Sequence, residues 1–243
     1  MKSLAIAISL FSASALAQTT TFPEASGETA LPDAMIVSGD FDGGMVRYSR
    51  DPDTCEGQSE TDEEAAMFIV EDGGSISNVI LSKAQAEGIH CRGSCTLTNV
   101  WWEDVCEDAA TFKQGEGQTS YVIGGGARGA DDKIFQFNGR GTVSIEGFYA
   151  EDYGKVIRSC GDCTGNGGPR NVIIDNVIAV DGGVLCGINS NYGDTCRISN
   201  SCQDSGKDCD RYKGVEKGDG DTEKIGSGPD GESCFVDSLS EDC

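Results

Sequence analysis

Residues 95–148 read CTLTNVWWEDVCEDAATFKQGEGQTSYVIGGGARGADDKIFQFNGRGTVSIEGF, and this stretch decides the fold. Within it an apolar residue is followed two positions later by Asn or Gly: LTNV at 97–100, VIGG at 122–125 and IEGF at 145–148. Outward in both directions the motif returns as ISNV at 76–79, IDNV at 174–177 and ISNS at 198–201. Ile76, Leu97, Val122, Ile145, Ile174 and Ile198 are therefore equivalent positions, spaced near two dozen residues apart except where residues 160–169 are inserted.

Each unit opens on an alternating, β-branched strand such as TVSIEGF or NVIIDNV, passes through a turn rich in Gly, Asp and Glu, and reaches a second short apolar strand such as KIFQF or KVIRS. No unit carries a long helical period. Short strands at a fixed period predict an all-β solenoid, a single-stranded parallel β-helix whose coils bury their apolar side chains on the coils above and below. An antiparallel sandwich shares the turn-rich composition, but it does not repeat one motif at one offset. The segment AMIVSGDFDGGMVRYS (34–49) supplies opening strands and, with its neighbours from residue 18 to 64, an N-terminal cap. Residues 214–243 have few apolar side chains and no period, so they read as an acidic, Gly- and Cys-containing extension of poor order, stapled through Cys234 and Cys243. The solenoid proper is expected over residues 18–213.

The start, MKSLAIAISLFSASALA, has a basic Lys2, an apolar run from Leu4 to Phe11 and small residues up to Ala17, the pattern of a signal peptide covering residues 1–17. Secretion agrees with twelve cysteines, an even number that suits a disulfide framework. Cys91/Cys95 and Cys160/Cys163 are spaced for local bridges, and the second spacing also suits zinc or thiol exchange. Lys plus Arg number 18 against 41 Asp plus Glu, a formal charge of −23 that disfavours nucleic acid and anionic membranes as partners. A monomer is expected.

Between Glu87 and Arg158 each successive repeat carries an acidic and then a basic group: AEGIHC, CEDAATFK, ADDKIFQF and YGKVIRSC. Equivalent positions on neighbouring coils lie about 4.8 Å apart, so Glu87, Glu107 with Asp108, the run from Asp131 to Lys133, and Lys155 should form a ladder on one outer face, with Arg158 close by. Stacked carboxylates repel unless a cation lies between them, and three of them offer the several oxygens that Ca²⁺ takes. Lys113, Lys133, Lys155 and Arg158 beside such a site make a groove for a polymeric anion, best an acidic polysaccharide. Turn carboxylates capping backbone amides, and surface lysines in ordinary ion pairs, are the plainer alternatives for any one of these residues.

These segments resemble the pectate lyases of polysaccharide lyase family 3. The resemblance covers about Ala34 to Gly214 and rests on SGDFDGGMVRY, AEGIHC, NVWWEDVCEDAATFK, ADDKIFQFNG, EDYGKVIRSCG and GINSNYGD. It implies a right-handed parallel β-helix that cleaves de-esterified polygalacturonate, the pectin of the plant cell wall, by Ca²⁺-dependent β-elimination. By the same resemblance Glu87, Glu107 and Asp108 are metal ligands, Lys113 and Lys155 bind substrate, and Lys133 and Arg158 are catalytic, Lys133 as base and Arg158 as its charged partner, with those two roles open to exchange. A base drawn from Lys133 needs a lowered pKa and implies an alkaline optimum. Phe137 departs from the pattern, since a polar residue is expected after Gln136, which puts substrate contacts there in question. Two other functions fit a β-helix: a pectin hydrolase, whose NTD, GHG and RIK signatures are missing, and a wall-binding protein without activity. His90 reads as a packed or hydrogen-bonding residue, Trp101 and Trp102 as packing, and Gly124 to Gly126 as a coil corner.

Overall fold

The computed structural model describes residues 18–57, 59 and 61–243; the expected signal peptide lies outside them. Strands β1 (Gly27–Leu31), β2 (Met35–Val37) and β3 (Asp40–Arg50) open the chain, followed by β4 (Ala66–Val70) and β5 (Gly74–Leu81). Next come β6 (Glu87–Cys91), β7 (Cys95–Trp102), β8 (Asp108–Phe112), β9 (Thr119–Ile123), β10 (Gly126–Phe137), β11 (Gly141–Glu146) and β12 (Tyr149–Ser159). The remainder is β13 (Arg170–Asp175), β14 (Ile178–Val180), β15 (Val184–Asn189), β16 (Thr195–Ser199), β17 (Ser201–Gln203), β18 (Cys209–Lys213), β19 (Glu223–Ser227), β20 (Cys234–Val236) and β21 (Leu239–Ser240).

Pairing is parallel throughout except between β18 and β19, and the ladders define three walls that every coil visits in turn. The first wall runs β2, β4, β6, β8, the ends of β10 and β12, β15 and β18. The second runs from the start of β3 through β5, β7, β9, β11, β13, β16 and β20. The third takes β1, the ends of β3, β5 and β7, the starts of β10 and β12, then β14, β17 and β21. The expected parallel β-helix is what the chain forms.

The repeated Asn or Gly has a backbone cause. Asn78 (φ 54), Asn99 (φ 53), Gly124 (φ 63), Gly147 (φ 64), Asn176 (φ 53) and Asn200 (φ 48) all sit at the corner between the second and third walls, in the left-handed region that Gly and Asn tolerate best. Where Asn occupies the corner its side chain also ties coils together: Asn99 Nδ2 donates to Asn78 Oδ1 at 2.8 Å, and Asn200 Nδ2 to Asp175 Oδ1 at 2.8 Å. The apolar residue two places earlier points inward; Ile76, Leu97, Val122, Ile145, Ile174 and Ile198 all belong to one continuous core.

Trp102, Phe135 and Phe148 pack together inside the tube, and truncating any such ring to Ala costs about 3–5 kcal/mol. Trp101 faces the other way on the third wall, where Phe22 and Tyr149 cover it, Phe22 at a centroid distance of 5.0 Å. Both tryptophans are packing residues.

Five disulfides join Cys55–Cys106, Cys91–Cys95, Cys160–Cys163, Cys202–Cys243 and Cys209–Cys234, while Cys186 and Cys196 are buried thiols. Both short spacings are thus bridges within the framework. The expected poor order of residues 214–243 is corrected: β19 lies on β18, β20 on β16 and β21 on β17. The tail needs few apolar side chains because two disulfides and polar contacts hold it. Asp230 Oδ1 accepts from the backbone amides of Glu232, Ser233 and Cys234, and Glu216 accepts from Gly165 and Asn166 in the 160–169 insertion.

Candidate active site

The first wall carries the chemistry-bearing residues in two rows. Glu87 pairs with Asp108 in register, and Lys133 with Lys155; Phe135 opposite Ala110 brings Lys133 level with Asp108. Three residues further along each strand His90 pairs with Thr111, Thr111 with Gln136, Gln136 with Arg158, and Arg158 with Gly187. Both rows come from parallel in-register pairing, which stacks equal positions of successive coils about 4.8 Å apart.

Glu87, Glu107 and Asp108 each offer a carboxylate oxygen within 4.8 Å of the others, and all three are buried. Their burial differs from the expected outer face. The bridge from Cys55 to Cys106 brings the 51–57 segment beside Glu107, and Thr61 Oγ1 donates to Glu87 Oε1 at 3.3 Å. His90 Nε2 meets Glu87 Oε2 at 2.9 Å, so the lone histidine orients a carboxylate.

Lys133 supplies the counter-charge. Its Nζ donates to Glu107 Oε1 at 3.1 Å and lies 3.2 Å from Asp108 Oδ1 and 3.3 Å from Asp132 Oδ2. Burial disfavours its ammonium, but Asp108, Glu107 and Asp132 outweigh that and hold its pKa above the ordinary lysine value. Burial pushes Asp108 well up, with Lys133 opposing and Glu107 and Glu87 reinforcing. Asp132 sits at a register shift in β10 and bridges the cations, its Oδ1 accepting from Lys155 at 2.7 Å. Its burial acts against ionisation, yet the Lys155 hydrogen bond and the charges of Lys155 and Lys133 leave its pKa below the usual range. Asp131 beside it is exposed.

Arg158 is 8% exposed. Its Nη1 donates to Ser159 O at 2.5 Å, Asn189 Oδ1 at 2.9 Å and Gly187 O at 3.4 Å, and its guanidinium lies 3.9 Å over the Tyr212 ring. Burial lowers its pKa, only partly offset by Tyr212 and Asp194. Lys113 stands apart from the cluster at the far end of β8, half-buried, near Glu63, whose carboxyl is lowered chiefly by the Arg92 hydrogen bond and further by the charges of Arg92 and Lys113. Phe137 is wholly buried in the core, and Gln136 is the residue in the row with Arg158; the departure at Phe137 therefore touches packing. Asn189 and Tyr212 went unassigned in the sequence, although Asn189 lies within GINSNYGD, a segment otherwise without a role.

The donor set is all oxygen; Glu107 Oε2 is buried without a hydrogen-bond partner among the described residues, and Asp108 Oδ1 meets only the Lys133 ammonium at 3.2 Å. Three buried carboxylates at this spacing, one oxygen of which is unsatisfied, fit a hard divalent cation such as Ca²⁺. A family model described as "Pectate lyase" matches residues 19–219. The chain belongs to the pectate lyase family. Pectate lyase H of Emericella nidulans is 48% identical over 226 residues, covering 92% of this chain and 86% of that protein. A probable pectate lyase F of Aspergillus terreus is 51% identical over 179 residues, covering 73% and 76%. Among solved structures, the catalytic domain of pectate lyase PelI from Erwinia chrysanthemi superposes with a TM-score of 0.75 at 34% identity, covering 86% of this chain and 96% of that domain. PelI has also been solved in complex with tetragalacturonic acid, at a TM-score of 0.71 and 34% identity, covering 83% of this chain and 66% of PelI. In this pectate lyase the carboxylate cluster and the three nearest cations all lie on one wall of the β-helix.

Proposed function

We propose that this pectate lyase cleaves de-esterified α-1,4-polygalacturonate by Ca²⁺-dependent β-elimination and releases unsaturated oligogalacturonides. The observation that carries the reading is the buried triad of Glu87, Glu107 and Asp108 with Lys133 against it and Lys155 and Arg158 on the next coil. Glu87, Glu107 and Asp108 are the residues to hold Ca²⁺, which when bound to a uronate carboxylate withdraws charge and makes the neighbouring C5 proton more acidic. Lys113 and Lys155 bind carboxylates of the polymer, Lys155 already oriented by Asp132. Lys133 and Arg158 are the catalytic cations. Of the two, Arg158 is the better proton acceptor, because its Nε and Nη2 make no hydrogen bond among the described residues and burial lowers its pKa, whereas the Lys133 amine is held by Glu107, Asp108 and Asp132; Lys133 then stabilises developing negative charge. Strand pairing with β15 and the bonds to Asn189 and Gly187 keep Arg158 in one place along the wall.

All these residues come from one chain, so a monomer suffices for the reaction. Residues 1–17 act as a secretion signal, residues 18–213 form the catalytic solenoid and residues 214–243 extend it. Secretion to the cell exterior is consistent with five disulfides. The test is incubation with polygalacturonate in the presence of Ca²⁺ or chelator, following absorbance of the unsaturated product. Calcium-dependent absorbance supports the proposal. Reducing ends without it point to a hydrolase, and binding without products to a wall-binding protein.

A further inference from the structure

The segment GINSNYGD (187–194) has no part in the chemistry proposed above, yet it meets Arg158 from two sides. At Gly187 a Cβ would stand 2.7 Å from Arg158 Cδ and 3.5 Å from its Nε, so only a residue without a side chain leaves room for the arginine to lie across β15. Two residues on, Asn189 Oδ1 accepts from Nη1 at 2.9 Å, while its Nδ2 donates to Cys160 O at 2.7 Å, which fixes which end of the amide faces the guanidinium. Asn189 is itself pinned, its backbone amide donating to Asp194 Oδ2 at 3.0 Å, and Asp194 Oδ1 accepts from the Arg170 amide at 2.8 Å. Gly187, Asn189 and Asp194 are thus the working positions of the motif.

Tyr212 completes the seat from β18, one coil further along and in register with Asn189. Its ring supports the guanidinium face at 3.9 Å, while its hydroxyl lies 3.4 Å from Asp210 Oδ2. Every hydrogen bond that Arg158 makes among the described residues leaves from Nη1. One edge of the guanidinium is therefore anchored, and Nε and Nη2 remain for another partner.

We infer that Asn189 and Tyr212 are positioning residues for Arg158: the GINSNYGD segment and the Tyr212 ring form a seat that fixes one edge and one face of the guanidinium and turns its other edge toward the polymer. The inference rests on the proposed role of Arg158 in the reaction. A seat of this kind contributes to orientation in the transition state more than to substrate binding, so its loss appears mainly in kcat.

The experiment is a pair of double-mutant cycles on polygalacturonate cleavage, combining Arg158→Ala with Asn189→Ala and with Tyr212→Leu, with thermal melting as a folding control. Each seat substitution alone should lower kcat roughly 10–100-fold with KM changed less than about threefold, and add less than about twofold when Arg158 is already Ala. Tyr212→Phe, which keeps the ring, should restore most of the rate lost in Tyr212→Leu. The inference is overturned if either seat substitution costs the same factor with and without Arg158, or costs nothing. If Asn189→Ala does not fold, the Tyr212 cycle decides alone. Full activity of Arg158→Ala would instead overturn the proposed role of Arg158, and the seat with it.

Discussion

The Lys133 ammonium lies 3.1 Å from Oε1 of Glu107, and both side chains are almost wholly buried. Lysine here does in the protein what a metal ion does in its complex: it keeps three close carboxylates from repelling one another. Replacing Lys133 by Met leaves them without their counter-charge, which costs about 3–5 kcal/mol when one partner of a buried pair is removed. Thermal melts in chelator should show that loss, and Ca²⁺ should recover more stability in the variant than in the parent. Equal melting of the two in chelator would show that the pair is not the stabilising contact.

Glu107→Gln and Asp108→Asn each remove one negative charge from the triad while preserving its shape. Calcium affinity measured by calorimetry should fall at least about tenfold for each, because charge count sets affinity in oxygen-ligand sites. Parent-like affinity in both would place the ion elsewhere.

Arg158 must lose its proton before it can accept one, and burial lowers its pKa from a high starting value. The neutral fraction therefore grows as pH rises, and kcat/KM should climb about tenfold per pH unit on the acid limb toward an alkaline optimum. A peak near about pH 5 with loss above about pH 8 would indicate paired carboxylates, the arrangement of a hydrolase.

Asn99 holds a φ of 53, and its side chain donates to Asn78 and accepts from Trp101 Nε1 at 2.8 Å. Asn99→Ala combines left-handed strain with an orphaned indole donor, a cost of about 2–3 kcal/mol. Asn99→Gly relieves the strain and should cost less in denaturant titrations. The reverse order of the two variants would remove the corner from the explanation of the repeat.

Burial opposes ionisation of Asp230, but the amides of Cys234, Ser233 and Glu232, helped by Arg211, bring its pKa to about 2. A carboxylate depressed in the folded state stabilises above its unfolded pKa and loses that contribution as pH falls, here between about pH 4 and pH 2. Hydrogen exchange at 230–236 should accelerate in that window before the central coils respond. Asp230→Asn should show fast exchange already at neutral pH.

The fold was readable because one backbone event, a left-handed corner after an inward apolar residue, recurs in phase from Asn78 to Asn200. Its residues are local, so a short motif records them. The triad was readable for the same reason: β6 and β8 are in register, and a spacing along the chain becomes a spacing across the wall. Burial of the triad was not, because the cover arrives from Thr61 and from Cys55, 51 residues before its partner Cys106. Nor was the lysine pKa, which depends on three carboxylates converging on one amine. Asn189 and Tyr212 reach Arg158 from 31 and 54 positions away, contacts that carry no periodic trace. The tail hid its order because cysteines and capping carboxylates replace the apolar pattern that marks the other coils.

Strand β19 comes to rest antiparallel on β18, the final strand of the first wall, and β20 and β21 are themselves the final strands of the other two. A β-helix is in principle endless, since the last coil exposes a full row of amides and carbonyls to whatever strand arrives next, a second copy of the chain included. The acidic tail spends its short strands on those three positions. Those strands are short, five, three and two residues, which blunts the edge they leave, so a chain ending at residue 213 would be expected to join others head to tail more readily.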